Sequence, residues 1–189
     1  MSTYTPAFET AFALTFAAEV GTTKDGAVVD TGGRTIMGIS EKSWPHDYAN
    51  ISSILEHENR VLYAKGFYHQ EFWKALSLDR LESPEIAYEI FDTAVNTGPG
   101  TAAEIAQQAV NAMHGFAYVK VDGELGPMTR AAINGLTRRY EANLMGCLNL
   151  FQGIYYWNLA QKDDKYQDQF KGWMKRTLVP PEIWKGLSG

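Results

Sequence analysis

The sequence predicts an α+β protein, mostly helical, with one small β-hairpin near the N-terminus. Three observations predict it. Apolar residues recur at helical spacing through most of the chain. Glycine and proline signals cut that pattern into lengths ordinary for helices. One stretch, about 27–39, instead sets β-prone residues on either side of a Gly-Gly turn. The 189 residues are 45% hydrophobic and 21% charged, a globular composition that argues against disordered and fibrous classes. The length suits one domain or two tightly packed lobes.

The elements follow in order. Residues 6–19 read as a helix, because Phe8, Phe12 and Phe16 recur every four residues among alanines. Gly21 is a natural stop. Glu19 then falls in the last turn, where a carboxylate faces the negative end of the helix dipole. After the turn Lys24-Asp25-Gly26, Ala27 to Asp30 is β-prone, Thr31-Gly32-Gly33 turns, and Arg34 to Ser40 returns. Helices are expected over 50–65 and 68–77, separated near Gly66. Ser83-Pro84-Glu85 opens a helix with a serine cap and proline at its first position, running to Asn96 before Gly98-Pro99-Gly100 breaks it. Thr101-Ala102-Ala103-Glu104 is a capping box that opens a helix to Met113. Residues 119–127 form a loop around Asp122-Gly123 and Gly126-Pro127. Helices over 129–140, 142–161 and 166–177 complete the chain, with no internal repeat.

Charge and motif content narrow the function. The net charge is −5, which places a general nucleic-acid binder low. It is uneven: residues 1–119 carry −8 and residues 120–189 carry +3. Cys147 is the single cysteine and lies in an apolar run, so the chain has neither an internal disulfide nor a cysteine metal site. The four histidines form no His-Glu-x-x-His pattern, and no Walker loop or Gly-x-Ser-x-Gly elbow is present. No metal and no organic cofactor is expected. No apolar run spans a membrane, and residues 11–18 lack the basic leader of a signal peptide.

The constellation with chemical content is Glu19, Asp30 and Thr35 on one helix–hairpin unit. Glycoside hydrolysis needs a protonated carboxyl to donate to the leaving oxygen and a second, ionised one to stabilise positive charge or activate water. A helix end beside an open, Gly-rich hairpin offers those two environments. The Thr35 hydroxyl is placed to hold a water. The chain is also rich in aromatics, with 5 Trp and 10 Tyr, whose default role is core packing.

Several segments, taken in order, resemble glycoside hydrolase family 108, the lysozyme-like N-acetylmuramidases of phage endolysins and bacterial secretion activators. Glu19, then Asp30-Thr31-Gly32-Gly33-Arg34-Thr35-Ile36-Met37-Gly38-Ile39-Ser40, resembles the family's Glu-Gly-Gly and Asp-Pro-Gly-Gly-x-Thr-x-x-Gly-Ile-Thr signature. Tyr68 with Phe72-Trp73, Phe91 to Gly98 with Gln107, Asp122 to Thr129, and Phe170 to Arg176 resemble four further family motifs. The chain departs at Glu19-Val20-Gly21-Thr22, where the family has Glu-Gly-Gly-Tyr, and the spacing from Glu19 to Asp30 is about two residues longer.

The resemblance implies a lysozyme-like fold, a catalytic lobe over 1–98 and a helical peptidoglycan-binding lobe over 99–189, packed as one unit. It implies Glu19 as the catalytic acid for the β-1,4 bond between N-acetylmuramic acid and N-acetylglucosamine. Asp30 would stabilise charge or activate water, and Thr35 would help place that water. Tyr68, Trp73 and Asn96 are the candidates for lining the sugar groove. A carboxyl separation of about 6.5–9.5 Å favours inversion and about 5–5.5 Å retention, and a water held between Asp30 and Thr35 leans the reading to inversion. The expected partner is the glycan strand, with no nucleic acid, no membrane insertion and a monomeric state. The expected route is synthesis in the cytoplasm, then action on the wall after release by a holin or a dedicated exporter. Two alternatives stay open: a non-catalytic wall-binding or secretion-assisting protein, and a lytic transglycosylase, which needs the Glu but no second carboxylate.

Overall fold

The computed structural model describes residues 4–19, 27–30, 33–162 and 166–177. The elements run α1 (Pro6–Glu19), β1 (Ala27–Asp30), β2 (Gly33–Ile36), β3 (Ile39–Ser40), α2 (Pro45–Ser53), α3 (His57–Tyr68), α4 (Pro84–Thr97), α5 (Pro99–His114), α6 (Pro127–Lys162) and α7 (Gln167–Arg176). A π-helical turn, His69–Lys74, continues α3, and a short 3-10 turn, Leu78–Arg80, precedes α4. The fold is α+β, mostly helical and lysozyme-like. The chain divides into two compact units, Met1–Ala75 and Leu76–Gly189.

In the first unit, Thr5 caps α1 by accepting from the Phe8 N–H at 3.4 Å, and Pro6 follows as the first helical residue. Phe8, Phe12 and Phe16 run down one face of α1. Phe8 packs on Trp73 (5.5 Å between ring centroids), and Phe12 and Phe16 pack on Tyr68 (5.6 and 6.4 Å). Lys65 of α3 bonds to Glu9 of α1 and lies 5.3 Å over the Tyr4 ring, which fixes α1 against α3. The sheet is antiparallel in the order β1-β2-β3. Met37-Gly38, both at positive φ (49° and 79°), make the tight turn from β2 to β3. Met37 is nevertheless fully buried, and its carbonyl accepts from the Tyr68 hydroxyl at 3.4 Å, so the turn is tied to α3.

The helix expected over 50–65 is two helices. α2 starts earlier, at Pro45, and ends where Ile54 turns extended. The break is stabilised locally: Arg60 Nε donates to the Ile54 carbonyl at 2.7 Å, and Glu56, extended at the N-cap of α3, takes a bond from the Asn59 amide. Gly66 does not break α3; the helix runs through it.

In the second unit, α4, α5 and α6 pack on one another and α7 packs on α6. Ser83 caps α4, its hydroxyl accepting from the Ile86 N–H at 3.1 Å. The two helices expected over 129–140 and 142–161 form one long element with a sharp kink at Tyr140 (φ −137°, ψ 32°). Gln152 of α6 donates to Thr93 of α4 at 2.9 Å, and Tyr156 stacks on Trp173 of α7 at 5.2 Å.

Candidate active site

α1 ends at Glu19, as its spacing predicts, and β1 ends at Asp30. The carboxyl groups of both residues, and the whole of 20–26 and 31–32, lie outside the described residues. The altered Glu19-Val20-Gly21-Thr22 turn and the longer spacing after it fall in that gap. What the backbone supplies is register. Val28 pairs with Thr35 and Asp30 pairs with Gly33. Opposed residues share a face and alternate residues return to it, so positions 28, 30, 33 and 35 lie on one side of the hairpin. Thr35 is half-buried and also pairs with Ser40 of β3. Position 34 belongs to the opposite face, where Arg34 binds Glu41 (Nε to Oε2 2.7 Å) and covers Tyr48 at 5.7 Å. That hydrogen bond is the main reason the Glu41 carboxyl is held below its ordinary range.

Two of the expected groove residues are core. Trp73 has no exposed surface and Tyr68 is 1% exposed. Both stand where the π-helical turn joins α3, ringed by Phe8, Phe12 and Phe72. A sugar does not reach rings at that depth. Their place in the molecule is to hold α1 and the Met37-Gly38 turn together, which positions the two elements carrying Glu19 and Thr35. Asn96 is half-buried on α4, in the second unit, and donates to the Asp92 carbonyl at 2.7 Å.

Two further features belong to no sequence motif. One is a concavity of about 320 Å³ in the first unit, bordered by Asp47, Tyr63, Gln70 and Glu71. There the Tyr63 hydroxyl donates to Asp47 at 2.8 Å and accepts from Asn50 at 3.1 Å. Burial is the leading reason its phenol is pushed above the ordinary tyrosine range. The other is Glu89 on α4, 2% exposed. Burial first and the Asp92 charge second push its carboxyl up to about 8. Its signal was available: Ile86, Glu89, Ile90 and Thr93 recur at the spacing of a buried helix face, and all four are buried. Among the described residues, no His, Cys, Asp and Glu side chains gather as a metal-binding group.

The Asp122-Gly123 loop is a turn fixed from α5. The Gln107 amide donates to Asp122 Oδ1 at 2.8 Å and to the Glu124 carbonyl at 2.9 Å. Its oxygen accepts from the Asp122 and Gly123 N–H groups at 2.9 and 3.1 Å. The bond from Gln107 is the largest reason the Asp122 carboxyl is lowered.

Comparison with known families matches residues 12–98, from α1 through the hairpin to the end of α4, to Glycosyl hydrolase 108. Residues 101–178 match a family described as "Predicted Peptidoglycan domain". The two matches run in order along the chain, a glycosyl hydrolase 108 segment followed by a peptidoglycan-domain segment. The first match crosses the division at Ala75 and takes in all of α4. Among solved structures, Brucella abortus SagA is similar, with a TM-score of 0.60 and 20% identity over 91% of this chain and 94% of that one, a likeness of fold. No curated protein matches the sequence. Together the two segments make this a peptidoglycan-acting, lysozyme-like protein with a glycoside hydrolase domain.

Proposed function

We propose that this protein is an endolysin-type muramidase that cleaves the β-1,4 bond between N-acetylmuramic acid and N-acetylglucosamine, with Glu19 as general acid. The observation that carries the reading is the hairpin register, in which positions 30 and 35 share one face, in the hairpin that follows in sequence the helix ending on Glu19. A proton on Glu19 removes an unfavourable charge from the negative end of α1 and is then available to the glycosidic oxygen. Asp30, at the turn end of the hairpin, stabilises the oxocarbenium-like sugar or activates water. Thr35, two pairs further along the same face, orients that water, which makes inversion the expected outcome. Tyr68 and Trp73 serve this site as its support. Asn96 is the candidate for a direct sugar contact, and the 1–98 and 99–189 segments act as catalytic and wall-binding parts.

No helix among the described residues is long and apolar enough to cross a membrane. In this reading the enzyme works at the cell wall after a holin or a dedicated exporter releases it, as in phage lysis.

The test is mass spectrometry of fragments released from purified peptidoglycan, with Glu19→Gln in parallel. Reducing N-acetylmuramic acid ends that vanish in the variant are the expected result. Anhydro ends would make the protein a lytic transglycosylase and leave Asp30 without a role. Wall binding with no fragments would sink the catalytic reading.

A further inference from the structure

The loop that follows α5 holds aromatic rings out in water. Phe116 is 62% exposed and Tyr118 46% exposed. Single exposed apolar residues need no explanation, but two rings on one short loop make a patch. This loop is built, not slack. Gly115, at φ 74°, ends α5 in the left-handed region and bonds back to the Asn111 and Ala112 carbonyls. Asn111 then clamps the next turn. Its oxygen accepts from the Tyr118 and Val119 N–H groups, both at 2.8 Å, and its amide donates to the Val119 carbonyl at 2.9 Å. Val119 is buried and anchors the far side. The His114 ring lies flat on Tyr118, 4.0 Å away and 11° from parallel, and Phe116 stands edge-on to Tyr118 at 6.0 Å. The rings are therefore oriented before any ligand arrives, which removes the ordering cost of binding.

We propose that this loop is a glycan-binding platform, on which Phe116 and Tyr118 receive the apolar faces of N-acetylated sugar rings while Lys120 meets the polymer's carboxylates. The proposal rests on the peptidoglycan reading above and adds the place where the strand is held. A pyranose ring has an apolar C–H face and a rim of hydroxyl and amide groups. It suits a ring with one face covered and the other open, because its polar rim stays in water. A protein partner would call for a broader apolar surface than this narrow loop offers, since stable interfaces bury about 800 Å² on each side. Lys120 extends the site with a positive charge. Its side chain is 82% exposed, and its contact with Asp122, at 3.8 Å, is long enough to leave the ammonium accessible. Peptidoglycan supplies carboxylates on its peptide stems. The platform lies inside the segment matched to the peptidoglycan domain.

The experiment is co-sedimentation of the full chain with purified, protein-free peptidoglycan, in a Glu19→Gln background so that the wall is not consumed. The double variant Phe116→Ala/Tyr118→Ala is expected to raise the half-saturating concentration about tenfold. Phe116→Tyr and Tyr118→Phe should bind like the parent, and Lys120→Gln should weaken binding at low salt only. Unchanged thermal unfolding of the double variant would show that the loss is not a folding defect. Equal binding by the double variant and the parent overturns the platform and leaves the muramidase reading standing on its product analysis. A parent that binds only walls retaining their proteins overturns the platform in favour of a protein partner. A parent that binds no peptidoglycan overturns the platform, and the muramidase reading is then decided by product analysis alone.

Discussion

Replacing Glu89 by glutamine should stabilise this protein, and by an amount that depends on pH. Glu89 is buried on α4, and its carboxyl is pushed up to about 8 from the ordinary 4.5, by burial first and the Asp92 charge second. The folded chain therefore keeps a proton that the unfolded chain gives up. The stabilisation tied to that proton is complete below pH 4.5 and is lost as pH rises, until the folded carboxyl itself ionises near 8. Each pH unit inside the window removes about 1.4 kcal/mol, so the loss approaches about 3 kcal/mol at pH 7 and about 4 kcal/mol at pH 8. Glutamine has nearly the same shape and does not titrate. Urea unfolding followed by far-UV circular dichroism at pH 5, 6, 7 and 8 measures the effect. The difference between Glu89→Gln and the parent should widen steadily across that series in favour of the variant. Parallel stability curves, with a constant offset, would refute the argument that Glu89 is held neutral in the fold. Asp92→Asn should shrink the window from its upper end, because it removes the second cause.

Three further outcomes are expected. Glu19→Gln should abolish release of reducing muramic acid ends while leaving helix content unchanged, read by fragment mass spectrometry and circular dichroism. Gln107→Ala removes a side chain that pins the 122–124 turn through both its ends, and should cost about 3 kcal/mol in urea unfolding, since it strands several polar groups at once. Ser83→Ala should cost about 1 kcal/mol in the same assay, because the Ile86 N–H loses its cap at the start of α4; an unchanged midpoint would show that the cap contributes nothing measurable.

Local signals carried much of the fold. The Phe8-Phe12-Phe16 stripe set α1 to its last residue, and Ser83-Pro84 set the start of α4. The break expected after residue 140 is the kink at Tyr140. These features depend on the backbone's own termini and on side chains within a turn or two, so the sequence alone determined them. It also placed Glu19, Asp30 and Thr35 on a helix–hairpin unit, because turn residues and strand propensity are read locally.

Only the tertiary structure decided the rest. The split of residues 45–68 into α2 and α3 depends on Arg60 reaching back to the Ile54 carbonyl, a contact that propensity does not register. An exposed ring and a core ring have the same sequence, so residue type alone does not separate Tyr68 and Trp73, which are buried, from Phe116 and Tyr118, which stand in solvent. Burial is a sum over neighbours distant in sequence, and no single position encodes it. The same is true of Glu89, whose neutral state comes from the helices packed around α4 and the charge of Asp92. Residue types thus announced what chemistry was available, and packing decided which side chains were left free to perform it.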